Sequence, residues 1–330
     1  MNLNYAESGS PLPSEIEPTQ ITFVLCIEGN GIERQALLLC AALREFAGKY
    51  KRSAILAVSP RADVPIAESS RDLLAELDVT HVVEPLNQTG SLYFPINRIV
   101  AAAWAERNVR TDYLAVLDSD TWFVREPTLY CADVGARPVD TKGSTSTGPD
   151  DPLDRYWQRM CELAEIDLDD LPHIITSIDK QRVRVSYNGG FCIARRSLGV
   201  FAQTESVFFA SLRKRLRPLE KRGVNVLTST GYAGLVASEF WGSSQAALSV
   251  AIASRAEDVL MYDSSYNVPL HLLVPPEGEA SDWPSRDPAL VHYHWLAEPA
   301  HRAVLVRVLE DLETNHEFRS WLAPQLARWV

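Results

Sequence analysis

The chain has 330 residues, with 32 Lys and Arg against 43 Asp and Glu and a formal net charge of −11 at pH 7. Apolar residues make up 46% and charged residues 23%, which excludes a mostly disordered chain. The acidic balance argues against non-specific nucleic-acid binding, which needs a basic face. Five scattered cysteines (Cys26, Cys40, Cys131, Cys161 and Cys192) include no Cys-x-x-Cys pair, fitting a reducing compartment better than a disulfide framework or zinc cluster. The N-terminus lacks the basic start and apolar core of a signal peptide. The most apolar long stretch, 232–254, contains Glu239 and several Ser and Gly residues, too polar for a membrane span. The expectation is a cytoplasmic protein with no membrane span.

Residues 1–19, rich in Pro, Ser and Glu, predict a flexible tail. The apolar run at 21–27 predicts a buried strand, and helical spacing of apolar residues over 32–47 predicts a helix. Strands at 53–59 and 80–85 enclose a helix at 66–77, and a helix at 95–108 leads to the strongly apolar strand 113–118. Strand–helix alternation predicts an α/β fold whose mostly parallel central sheet carries helices on both faces. Ligands in such sheets sit at the carboxyl ends of strands, which marks 28–31 and 118–120. The Gly, Ser, Thr and Pro-rich segment 138–152 reads as an exposed loop, either a lid or a surface connection. Further on the pattern predicts a helix at 153–166, two short strands around an Asn-Gly-Gly turn within 183–196, and helices at 198–217 and near 238–253. A strand at 289–295 and an amphipathic helix in the last thirty or so residues complete the chain. The basic end of the 198–217 helix reads as solvated charge complementing the helix dipole.

Four groups of residues can carry chemistry. Asp118-Ser119-Asp120 ends an apolar strand, and residues i and i+2 of extended backbone share a side. Two carboxylates that close need a cation or a shared proton between them, and hard oxygen ligands suit Mg²⁺ or Mn²⁺; the plainer alternative is a solvated turn. His292 and His294 share a face of the last strand, and imidazole suits Mn²⁺ better than Mg²⁺; the alternative is a pair of half-buried strand histidines. Asn188-Gly189-Gly190 is a hairpin-turn signal or a place where backbone approaches a ligand. Glu239, Trp241 and Gln245, around a helix start, either cap the helix or recognise sugar hydroxyls, with Trp241 as a stacking platform.

Together, in their order and spacing, these segments resemble the nucleotide-sugar-dependent glycosyltransferases of the GT-A (Rossmann-like) fold, and most closely the retaining glycogenin-like and galactosyltransferase-like (family 8-type) group. The resemblance covers roughly 20–300, through ITFVLCIEGNGIERQALLLCAALR, FPINRIVAAAWA, YLAVLDSDTWFVREP, YNGGFCIARR, WGSSQAAL and VHYHW. It implies Asp118, Asp120 and His292 as ligands of Mn²⁺ or Mg²⁺, with Ser119 beside the donor. It places Arg98 on the donor, Ile27, Glu28 and Gly29 near the base, and Asn188, Gly189 and Gly190 along the sugar pocket. Gln245 stands where the family keeps a Gln, but Ser244 replaces the acidic residue before it unless Glu239 takes over. The family's basic residue on the diphosphate maps to Glu298, with only His301 and Arg302 close by.

The resemblance implies transfer of a sugar, from a UDP-sugar by preference, to an unidentified acceptor hydroxyl on a glycan, protein or small molecule. A retaining reaction needs no strong protein base; in an inverting one Glu239 is the candidate base. It also implies one catalytic domain, 20–305, with a nucleotide-binding half (20–125), a sugar and acceptor half (126–305), and a C-terminal helix (306–330) packed on it. Two alternatives remain: a haloacid-dehalogenase-type phosphatase using Asp118 and Asp120, and a GT-A-like module that binds sugar nucleotides without turnover. Nucleotidyl transfer is disfavoured because the first strand lacks a Gly-rich basic loop.

Overall fold

The computed structural model describes residues 1–5, 12–29, 31–272, 287–294, 309–310 and 316–329. After β1 (Asn2–Tyr5), the strand–helix alternation runs β2 (Ile21–Cys26), α1 (Gly31–Phe46), β3 (Ala54–Ser59), α2 (Glu68–Glu76), β4 (Val79–Val83), α3 (Pro95–Asn108) and β5 (Tyr113–Leu117). Two short strands, β6 (Thr121–Phe123) and β7 (Val134–Pro138), lead to α4 (Asp154–Ala164), β8 (His173–Ile175), β9 (Arg182–Arg184), β10 (Tyr187–Arg195) and α5 (Val200–Arg213). The remainder is β11 (Leu227–Thr228), β12 (Gly231–Tyr232), α6 (Leu235–Ser238), α7 (Ser243–Arg255), β13 (Asp258–Met261), β14 (Val268–Pro269), β15 (Leu290–His292) and a C-terminal helix, His316–Trp329.

Eight strands form the central sheet in the order β1-β13-β7-β10-β5-β2-β3-β4. Every pairing is parallel except those of β10, which runs antiparallel to both β5 and β7. The α/β architecture with a mostly parallel sheet is thus the one the sequence predicts, and it is consistent with a GT-A-like Rossmann fold. β2 and β5 are buried on both faces, which is why they read as unbroken apolar runs. Side chains of α1 cover one face; there the C-terminal helix sets Phe318 against Phe46 and Trp122, at ring separations of 5.1 and 5.9 Å. Helices α3, α4, α5 and α7 pack over the other face.

Two local expectations are corrected. Residues 2–5, read as part of a flexible tail, add a parallel edge strand beside β13. Asn188-Gly189-Gly190 is no hairpin turn: it lies inside the nine-residue strand β10, whose register against β7 shifts between Tyr187 and Cys192. Glycine signals a bulge or close backbone approach as readily as a turn. The strand predicted at 289–295 is present as β15, which pairs antiparallel with β6 in a small sheet with β14, opposing His292 to Thr121. No helix among the described residues is long and apolar enough to cross a membrane.

Candidate active site

At the carboxyl ends of β2 and β5 a cavity of about 390 Å³ opens, where the strand-end rule places ligands. Asp118, Ser119 and Asp120 line it. The backbone turns at these residues: the Asp118 N–H donates to the Gly190 carbonyl (3.1 Å), and the Thr121 hydroxyl donates to the Asp118 carbonyl (2.8 Å). In a turn the i and i+2 rule no longer applies, and the two carboxylates take different partners. Asp118 is ion-paired with Arg98 of α3. Asp120 Oδ2 lies 3.2 Å from Nε2 of His292 and 3.7 Å from Nδ1 of His294. The Tyr293 N–H donates to the Asp120 carbonyl (3.0 Å), and together with the β6–β15 register this fixes both histidines against the aspartate.

Asp120, His292 and His294 therefore form a group whose ligand atoms all lie within 4.8 Å of one another. Asp118, named with them from the sequence, is not part of that group. The His292 and His294 rings stack at 4.5 Å, and His271 stands edge-on to His294 at 3.9 Å. Burial opposes ionisation of Asp120, but the two imidazoles outweigh it and hold the carboxyl well below the usual carboxylate range. Burial also opposes charge on His292, yet Asp120 leaves its pKa raised. His294, with less help from Asp120, is pushed down to about 4 by burial and by His292.

Of the other residues named from the sequence, Glu28, Arg98, Asn188 and Gln245 line the cavity. Glu28 is fully buried, receiving Arg61 Nε (2.8 Å) and Asn97 Nδ2 (2.9 Å). Asn188 Oδ1 accepts the Gly190 N–H (3.1 Å). Gly189 and Gly190 allow close approach: a Cβ on Gly189 would lie 2.2 Å from Arg98 Nη2, and one on Gly190 2.6 Å from Asn267 Oδ1 and 3.2 Å from His292 Nδ1. Ile27 is buried and Gly29 donates to the Val64 carbonyl (3.1 Å); neither is among the lining residues. Glu239 is also away from the lining, ion-paired with Arg217 while its Oε1 accepts the Lys221 N–H (3.3 Å). Arg302, with Glu298 and His301, lies outside the described residues.

Glu239 is thus a surface partner of Arg217, and the Glu239→Gln variant is expected to leave the transfer rate unchanged and stability within about 1 kcal/mol. Initial-rate assays and thermal unfolding check this; a large fall in kcat would restore Glu239 as a base.

Sequence reasoning missed several lining residues. Residues 139–145, in the segment read as either a lid or a surface connection, form a wall of the cavity. Asp140 is buried and bonded to Arg137 (2.6 Å), and Lys142 Nζ contacts Asp151 (2.9 Å). Lys142 is the only basic residue in 138–152, a signal that was available. Tyr93 also lines the cavity, its hydroxyl donating to Ser244 Oγ (3.0 Å), so Ser244 has a partner the sequence did not suggest. Trp241 lines the cavity edge-on to Tyr93.

Asp151 ties the wall together. Burial would raise its carboxyl, but the Leu153 N–H, Lys142 and the Thr147 N–H bring it down to about 2. A depressed carboxyl contributes stability that is present above its unfolded pKa, about 3.9, and is lost as pH falls through the folded value. The Asp151→Asn variant should lose about 1 kcal/mol at neutral pH, allowing for solvent screening. It should also show a flatter stability profile between about pH 5 and pH 2, measured by urea unfolding.

The family described as Rhodobacterales glycosyltransferase domain matches residues 23–222. The match takes in Arg98, the Asp118–Asp120 turn, Lys142 and Asn188, and stops short of Gln245 and the histidines. No curated protein matches the chain. With more than half of its length matched, the chain belongs to the Rhodobacterales glycosyltransferase domain family.

Proposed function

We propose that this glycosyltransferase is a metal-dependent, retaining enzyme of the glycogenin-like type, moving a hexosyl group from a UDP-sugar to an acceptor hydroxyl. The observation that carries this is the Asp120, His292 and His294 group in one cavity with the Arg98–Asp118 pair. A divalent cation fits the group: His292 is buried, with Nε2 facing the Asp120 carboxylate and Nδ1 making no hydrogen bond among the described residues. Two imidazoles and one carboxylate favour Mn²⁺ over Mg²⁺. The cation would be held by Asp120, His292 and His294, and would supply Lewis acidity toward the charge that builds on the leaving diphosphate.

The chain's own residues do the rest. Arg98 and Lys142 bring positive charge to the phosphate side, preorganised where negative charge develops. Arg98 is kept in place by Asp118, which outweighs the desolvation of its guanidinium and raises its pKa. Asn188 and Gln245 offer amides to the sugar, Trp241 an aromatic surface, and Glu28 stands toward the base. On this reading 20–125 supplies the nucleotide half and 126–305 the sugar and acceptor half. The bond broken is the anomeric C–O bond, through an oxocarbenium-like state. The acceptor attacks from the leaving-group face, so no strong carboxylate base is required, in keeping with the position of Glu239 outside the cavity lining. The phosphatase alternative loses its support with the family match.

Thermal unfolding with a panel of nucleoside diphosphates, each with and without Mn²⁺, tests the reading. Ligand at 100 times its Kd adds about 2.7 kcal/mol. A shift with UDP that depends on Mn²⁺ is expected. No shift with any nucleotide, or one indifferent to Mn²⁺, would overturn the reading.

A further inference from the structure

One surface of this acidic chain is strongly basic. Residues 213–222, RKRLRPLEKR, hold six cations and a single acidic residue. Arg213, Lys214, Arg215, Lys221 and Arg222 are exposed, whereas Arg217 is taken by Glu239. The segment folds onto the one that follows α5: the Leu219 N–H donates to the Glu239 carbonyl (3.1 Å), the Ala233 N–H to the Val226 carbonyl (3.0 Å), and the Val226 N–H to Ser238 Oγ (2.8 Å). That brings the Lys221 and Arg222 end of the basic stretch against the segment carrying Tyr232, Leu235 and Val236, with Val224 next in sequence. Val236 and Tyr232, at 71% and 70%, are the most exposed large apolar side chains among the described residues, and Leu235 is 57% exposed. Leu227, Thr228, Ser229 and Thr230, between the two halves of the patch, line the cavity.

We propose that this surface docks the protein peripherally on an anionic lipid bilayer, with the mouth of the cavity turned toward the membrane. The charge pattern selects the occupant. Exposed cations next to exposed aliphatic and aromatic side chains complement a plane that is negative at its surface and apolar just beneath. An acidic protein or a nucleic acid would match the cations but leave Leu235 and Val236 in contact with polar surface. Tyr232 suits the boundary, with an apolar ring and a polar tip. Where the chain acts as the proposed transferase, and so resting on that reading, the acceptor hydroxyl is carried by a lipid.

Flotation with vesicles of phosphatidylglycerol and phosphatidylcholine, against phosphatidylcholine alone, tests the docking with neither donor nor metal present, so its failure would leave the catalytic reading untouched. Binding to the anionic vesicles is expected, weakened by high salt. The Lys221→Glu, Arg222→Glu double variant should lower the partition coefficient by about fivefold or more for each cation removed. Val236→Asn should lower it at unchanged net basic charge on the patch, whereas Lys51→Glu with Arg52→Glu, elsewhere on the surface, should leave it intact. All of these side chains are exposed, so the variants are expected to fold, which circular dichroism checks. No binding to anionic vesicles, or binding indifferent to the patch variants, would overturn the proposal. So would binding to soluble polyglutamate or RNA without binding to vesicles, which would assign the patch to an acidic macromolecule.

Discussion

Replacing Asp120 with Asn is expected to lower kcat/KM for transfer by about a thousandfold, or about 4 kcal/mol of transition-state stabilisation. Asn keeps the shape and the hydrogen-bonding reach of Asp and removes only the charge. That charge faces two imidazoles in a buried site, where it is poorly screened by solvent. Loss of the carboxylate removes the anionic member of the proposed ligand set, so Mn²⁺ affinity should fall in parallel. The fold should tolerate the change, because the Asp120 carbonyl still receives the Tyr293 N–H and the β6–β15 pairing does not involve the side chain. The check is steady-state kinetics together with Mn²⁺ titration. A purely structural role would instead lower stability with kcat/KM per folded molecule unchanged.

Gly190→Ala should have the next largest effect, reached through position and not through chemistry. The added Cβ would lie 2.6 Å from Asn267 Oδ1 and 3.2 Å from His292 Nδ1. Neither neighbour can give way easily: Asn267 and His292 are both buried, and the His292 ring is stacked on His294. Nor can Gly190 retreat without breaking the bond its carbonyl accepts from Asp118. Overpacking of this kind costs about 1–3 kcal/mol of stability. Displacing a group that orients a metal ligand costs about ten- to a hundredfold in metal affinity. Gly189→Ala offers a contrast, because its Cβ would meet the Arg98 guanidinium and not the histidines. It should weaken nucleotide binding while leaving Mn²⁺ affinity close to wild type. Calorimetric titration of each ligand separates the two variants, and equal losses of both affinities in both variants would contradict the division of labour.

The sheet was legible because its strands are buried on both faces and so stand out as apolar runs between helical periodicities. The end of β5 was legible for the same reason, which is how Asp118 and Asp120 came to notice. Their separate partners were not legible. The period-2 rule assumes extended backbone, and the chain turns at Asp118 as soon as β5 ends. The partners also come from α3 and β15, some 20 and 170 residues away in sequence, through tertiary contacts that no local pattern records. Asn188-Gly189-Gly190 shows a different limit. Glycine's freedom serves a turn and a close approach equally well, and only the third dimension, with Arg98 and His292 pressed against the missing Cβ positions, decides between them. Lys142 was hidden by composition: a Gly, Ser and Thr-rich segment reads as a lid or a surface connection, although Asp151 draws Lys142 in against the cavity. Asn267, buried with both amide atoms lacking a hydrogen bond among the described residues, left no mark in the sequence at all.

The most direct measurement is release of nucleoside diphosphate from a panel of nucleotide-sugars by the purified protein, with Mn²⁺ present or chelated, for wild type and Asp120→Asn. The predicted result is release of UDP from one UDP-sugar by the wild type only, abolished by the chelator and restored by Mn²⁺. Release that survives chelation or the Asp120→Asn change, or release of phosphate from simple phosphomonoesters in its place, would contradict a metal-assisted sugar transfer at this site.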